Sequence, residues 1–166
     1  MSEQPQTPND RLVHTRTIPV SAEKIFALLA DPRRHHETEP GDWVRGAIDD
    51  APITAAGQVF SMDMYLDVVG GAYRIDNTVT TFDPPHAIGW DPGQADEAGR
   101  IIPGGWSWRY DLKETDAGTE VTLTYDWSAT TEATREEFGG FPPFPAEFLD
   151  ASLESLEHAV TAEGES

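Results

Sequence analysis

From Trp106 to Trp127 the chain keeps a strict two-residue alternation on both sides of a turn, and few folds can absorb such a segment. Trp106, Trp108, Tyr110 and Leu112 alternate with Ser107, Arg109, Asp111 and Lys113. After Thr115-Asp116-Ala117-Gly118, the residues Val121, Leu123, Tyr125 and Trp127 alternate with Thr122, Thr124, Asp126 and Ser128. Successive side chains of a strand point to opposite faces, so this is an antiparallel hairpin with one aromatic and one polar face. An apolar face of that size has to be covered by a second layer.

The same period governs the preceding strands. Phe60, Met62, Met64 and Leu66 oppose Ser61, Asp63, Tyr65 and Asp67, and beyond Gly70-Gly71 a strand over residues 72–82 sets Tyr73, Ile75, Asn77 and Val79 against Arg74, Asp76, Thr78 and Thr80. Asp83-Pro84-Pro85 stops it, and residues 86–90 form a short further strand. Residues 91–105 are acidic, rich in glycine and longer than most hairpin connections, which predicts a loop. At the start of the chain, β-branched residues over 12–18 predict a strand ended by Pro19. Ser21 then caps a helix carrying Ile25, Phe26, Leu28 and Leu29, which Asp31-Pro32 ends or restarts. Residues 130–145, with Phe138-Gly139-Gly140-Phe141-Pro142-Pro143-Phe144-Pro145, read as a loop. A closing helix over 145–161 places Leu149, Leu153, Leu156 and Val160 on one stripe, with Phe148 and Ala159 beside it.

The length of 166 residues and the 38% apolar content suit a single domain. We expect a disordered polar lead-in over 1–10, the domain over 11–161 and an acidic tail over 162–166. The net charge of −19, from 30 acidic against 11 basic residues, repels phosphate backbones and anionic headgroups, so nucleic-acid binding is not expected. No apolar run is long enough to cross a bilayer and none resembles a signal peptide, so we expect no membrane insertion and a cytoplasmic location. The absence of cysteine excludes disulfides and thiolate chemistry. Oligomeric state is left open.

Strand, short helices, a run of antiparallel strands and a terminal amphipathic helix make a two-layer α+β chain. Four stretches carry a resemblance to a known family. These are Ile18-Pro19-Val20-Ser21-Ala22-Glu23-Lys24-Ile25-Phe26-Ala27-Leu28-Leu29-Ala30-Asp31-Pro32, the strand ending Asp83-Pro84-Pro85-His86-Ala87-Ile88-Gly89-Trp90, the aromatic hairpin and the closing helix. Together they resemble the START/Bet v 1-like (SRPBCC) superfamily, in its polyketide cyclase/dehydrase branch. The resemblance implies a helix-grip fold, a curved antiparallel sheet wrapped around a long C-terminal helix, with a gap between the two. It also implies a small hydrophobic ligand; we expect no cofactor. Similar chains often place a Trp soon after the Asp-Pro break, where this one has His35-His36-Glu37-Thr38-Glu39-Pro40 and brings Trp43 later.

Rings on one sheet face usually fill a core, and the gap that the resemblance implies makes pocket lining an equal alternative, so both readings stand. The candidate ligand-binding residues are Phe60, Met62, Met64, Tyr73, Asn77, Trp90, Trp106, Trp108, Tyr110, Tyr125, Trp127 and Phe148. Asn77 is the most informative, because an amide on an apolar face needs a partner in protein, water or ligand. The loops over 91–105 and 137–145 are expected at the mouth. Adjacent histidines at 35 and 36 do not converge on one ion, so no metal site is assigned. His14 is a candidate proton-transfer group if it faces the gap. No Ser-His-Asp order, phosphate loop or paired carboxylates appear. Three functions stand: binding of a small hydrophobic or aromatic metabolite or lipid, an aromatase/cyclase-like reaction on a polyketide-type substrate, and a non-enzymatic protein-interaction module.

Overall fold

The computed structural model describes residues 10–38, 44–48, 51–66, 70–137 and 147–164. Residues 1–9 of the expected polar lead-in, Trp43, residues 138–145 of the expected second mouth loop and the last two residues of the tail lie outside the described residues.

Strand β1 (Arg11–Ile18) leads into helix α1 (Ala22–Leu29), and a 3-10 segment (Pro32–Thr38) carries the chain to β2 (Val44–Ala47). Then follow β3 (Val59–Leu66), β4 (Gly71–Asp83), β5 (Ala87–Ala95), β6 (Ile101–Pro103), β7 (Ser107–Thr115) and β8 (Gly118–Asp126). Helices α2 (Glu132–Glu137) and α3 (Phe148–Gly164) close the chain. The sheet runs β1-β8-β7-β5-β4-β3-β2, with β6 pairing β5, and every pair is antiparallel. The first strand therefore sits at one edge beside the last, and α1 with the 3-10 segment spans the route from that edge to β2 at the other.

The helices form where their caps and stripes specify. Ser21 accepts from the Lys24 N–H at 3.3 Å to cap α1, whose Ile25, Phe26, Leu28 and Leu29 are buried. In α3 the stripe Leu149, Leu153, Leu156 and Val160 is fully buried. That helix packs on β1, β8, α1 and the 3-10 segment, and Arg16 of β1 donates to Glu157 of α3 at 2.6 Å. A curved sheet holding its C-terminal helix in this way is the helix-grip arrangement the alternation and the stripe call for. The β7–β8 hairpin turns on Asp116-Ala117, and Gly118 takes φ +134°, which a residue with a side chain rarely adopts.

Two expectations need correction. Residues 91–105 are not one long loop: β5 continues to Ala95 and pairs with β6, so only a short turn over 96–100 and the connection after Pro103 are left. Pro92 is tolerated inside β5 because its hydrogen-bonding edge away from β4 falls where the neighbour changes, between Trp90 opposite Trp108 of β7 and Gly93 opposite Pro103 of β6. The stretch after Thr130 contains α2, which Thr131 caps by accepting from the Thr134 N–H at 3.2 Å.

Candidate functional site

Four directly opposed pairs floor a cavity between the sheet and the helical layer. They are Met62 with Ile75, Met64 with Tyr73, Asn77 with Pro92, and Trp90 with Trp108. Trp106 and Tyr110 complete the β7 side, and His35, Thr38, Phe148 and Ser152 form the roof. Met62, Asn77, Trp90 and Tyr110 are buried, whereas Met64, Tyr73, Trp108 and Phe148 are half-buried and mark the side nearer solvent.

The cavity measures about 80 Å³. A single water needs roughly 10–15 Å³ on such a measure, so several fit, but an engineered cavity that accepts benzene is nearer about 150 Å³. A ring-sized guest therefore needs some adjustment of the half-buried side, where Met64 offers a flexible unbranched chain.

Most of the cavity's polar groups are engaged within the protein. His35 Nε2 lies 2.7 Å from the Leu29 carbonyl, which can only accept, so Nε2 carries the proton. The ring stacks on Trp90 at 5.0 Å between centroids. Thr38 donates to the His35 carbonyl at 2.7 Å, and Ser152 donates to the Thr38 carbonyl. Burial pushes the Tyr110 phenol up to about 12, although hydrogen bonds with the Thr38 and Ser152 side chains pull the other way. Tyr110 therefore stays protonated at neutral pH. Asn77 is different: at 3% exposure its side-chain amide enters no hydrogen bond among the described residues, and it faces the cavity. No charged side chain appears among the described lining residues.

Of the sequence candidates, Met62, Met64, Tyr73, Asn77, Trp90, Trp106, Trp108, Tyr110 and Phe148 line this cavity. Phe60, Tyr125 and Trp127 do not. Phe60 sits edge-on to Trp90 at 5.2 Å and to His35 at 5.4 Å. Tyr125 lies behind Trp108 at 4.4 Å, with Trp127 beyond it at 5.6 Å. Trp108 therefore stands between the cavity and these two rings. His14 shares the inward face with Leu123 of β8 and is half-buried, away from the cavity. Sequence reasoning missed His35, Thr38 and Ser152. Ser152 had a signal, since it falls on the helical stripe between Leu149 and Leu156 at spacings of three and four.

A curved antiparallel sheet gripping a C-terminal helix, with an aromatic cavity between them, defines a class of helix-grip proteins. The chain belongs to the family described as polyketide cyclase / dehydrase and lipid transport, whose model matches residues 10–161. Among curated proteins it is 30% identical over 151 residues to Rv0088 of Mycobacterium tuberculosis, a match covering 88% of this chain. It spans 62% of the length of that relative. Among solved structures, protein Ms6760 of Mycobacterium smegmatis matches with a TM-score of 0.67 at 21% identity, over 93% of this chain and 92% of that one. Protein NE0264 of Nitrosomonas europaea matches with a TM-score of 0.69 at 17% identity, over 94% and 97%. These likenesses establish the fold. No helix among the described residues is long and apolar enough to cross a membrane.

Proposed function

We propose that this protein binds a small hydrophobic molecule, aromatic or lipid-like, in the cavity between sheet and helix, with Asn77 as its polar anchor. The observation that carries the reading is the Asn77 amide, buried on an apolar wall and without a hydrogen bond among the described residues. Leaving such a group unpaired costs about 1–3 kcal/mol, so a water or a ligand oxygen in the cavity is its natural partner. The family description and the aromatic lining support the same class of ligand. Among the described residues, the exposed large apolar ones, Val13, Ile48, Val59, Tyr65 and Ile102, are spread over β1, the end of β2, β3 and β6, which favours an internal ligand over a protein partner. Titration with phenol, followed on tryptophan indole N–H resonances, tests the reading. Trp90, Trp106 and Trp108 should shift and Trp127 should stay nearly still; uniform or absent shifts at millimolar phenol would refute it.

One observation favours a catalytic alternative. His35 is the only imidazole among the described lining residues, and it stands in a cavity that also holds the neutral Tyr110 hydroxyl. A cyclase-like reaction would use Tyr110 as a hydrogen-bond donor and the imidazole as the proton acceptor. Turnover of a poly-β-ketone thioester by the native chain, lost in His35→Gln, would establish that reading; no turnover leaves binding alone.

A further inference from the structure

The cavity shares a wall with a second hollow. A groove of about 300 Å³ runs between the β5–β6 hairpin and α2, past Gln94, Ile102, Thr134 and Glu137. Tyr73, Ile75 and Trp106 line both spaces. Trp106 belongs to the wall common to both. Its indole lies against Gly104, where a Cβ would strike the six-membered ring, and Gly105 next to it, at φ +96°, would bring a Cβ within 2.5 Å of the Ala129 carbonyl oxygen. Gly104 thus leaves room for the Trp106 ring, while Gly105 lets the backbone pass close to Ala129.

Size and charge say what the combined space would hold. Small-molecule sites generally measure about 300–1,000 Å³, which the cavity alone does not reach and the two hollows together do. Without a charged lining residue, the cavity would strip an ion of its hydration and give it no partner. The groove has a different character. Ile102 is 52% exposed there, Glu137 supplies a carboxylate, and Gln94 uses its amide N–H on the Arg74 carbonyl at 3.1 Å, leaving its own carbonyl oxygen to accept. Its walls thus offer an apolar contact and two acceptors, which suits a hydrogen-bond donor and repels an anion.

Resting on the cavity-binding reading, we infer that the two hollows are the halves of one ligand site. The inner half takes an uncharged ring on Asn77, and the groove takes a hydroxyl-rich or ammonium-bearing remainder of the same molecule, with Trp106 in the wall common to both. Dissociation constants of phenol, phenyl β-glucoside and phenyl β-glucuronide for the full chain, measured on the indole resonances, test this. The glucoside should bind about tenfold or more tighter than phenol, and the glucuronide about tenfold weaker than the glucoside. Glu137→Gln, an exposed change that spares the core, should narrow the glucuronide gap by about threefold. Phenol binding with no gain for the glucoside, or a glucuronide gap unmoved by Glu137→Gln, would overturn the bipartite site and leave the cavity reading standing. Failure of phenol to bind would overturn both.

Discussion

Replacing Asn77 by Leu separates a ligand anchor from a structural amide, because the two roles predict opposite changes in stability. In the native chain the amide is 3% exposed on a wall shared with Tyr73, Ile75 and Trp90, and no described residue hydrogen-bonds to it. Its desolvation costs about 1–3 kcal/mol when unpaired, and less when a cavity water serves it, for which there is room. Leucine removes that cost, and its extra volume enters a cavity of about 80 Å³ rather than a filled core. A gain of about 1–2 kcal/mol follows, raising the thermal midpoint by roughly 2–6 °C in a domain of this size. The same change removes the hydrogen bond to a ligand oxygen, worth about 0.5–1.5 kcal/mol, so phenol should bind up to about tenfold more weakly. Toluene has no hydroxyl and loses no hydrogen bond in the variant, so the lost cavity volume affects both ligands while the phenol-to-toluene affinity ratio should fall by up to about tenfold. Calorimetric unfolding and paired phenol and toluene titrations measure both effects. A midpoint lowered by several degrees, with an unchanged phenol-to-toluene affinity ratio, would show that Asn77 holds the fold and anchors nothing.

Leu153 is fully buried on α3, so Leu153→Ala should cost about 2–5 kcal/mol in denaturant unfolding, and a loss below about 0.5 kcal/mol would contradict the gripped-helix packing. The Tyr110 phenol, pushed by burial up to about 12 against an ordinary value of about 10, favours the folded chain fully below pH ~10, and that contribution disappears as pH rises through 12. Tyr110→Phe should therefore lose less stability than the native chain over that range, on top of a background from Tyr125, which burial also shifts upward; ionisation of Tyr110 alongside exposed tyrosines in the folded protein would refute it. Burial alone would raise the Asp76 carboxyl, but hydrogen bonds from Ser61 at 2.6 Å and Arg74 at 2.9 Å outweigh it and hold the group below its usual range. Its stabilising effect is present above pH ~4 and lost as pH falls through the lowered value, so Asp76→Asn should cost about 1–2 kcal/mol at neutral pH and progressively less in acid. A cost that stays constant from neutral pH to pH ~3 would contradict that.

The strand layer is legible in the sequence because period two reports directly on which face is buried, as in Trp106, Tyr110 and Leu112 against Arg109 and Lys113. The α3 stripe is legible for the same reason at helical spacing. The extension of β5 was hidden because Pro92 and Gly93 carry loop chemistry, and only the change of partner from β7 to β6 makes them acceptable in a strand. Ser61 and Asp76 occupy the alternation's polar face yet are buried, since a side-chain network with Arg74 satisfies them there. Of the site, the floor could be read from the strands, but the roof could not. His35 and Thr38 reach the cavity through a 3-10 segment whose direction depends on packing against Trp90 and Phe60, which no local pattern encodes. Tyr125 and Trp127 share the aromatic face with Trp108 but pack behind it rather than on the cavity, a matter of tertiary placement.

The central claim, a cavity that receives an apolar ring with its oxygen on Asn77, is tested most directly by a crystal of the full chain soaked in 4-bromophenol and measured at the bromine edge. The account predicts one anomalous peak enclosed by Met62, Trp90 and Trp108, with the phenol oxygen within hydrogen-bond distance of the Asn77 amide, about 2.7–3.2 Å. Bromine found only on the outer surface, with Asn77 bonded to protein or to water in a cavity the soak leaves unchanged, would contradict it.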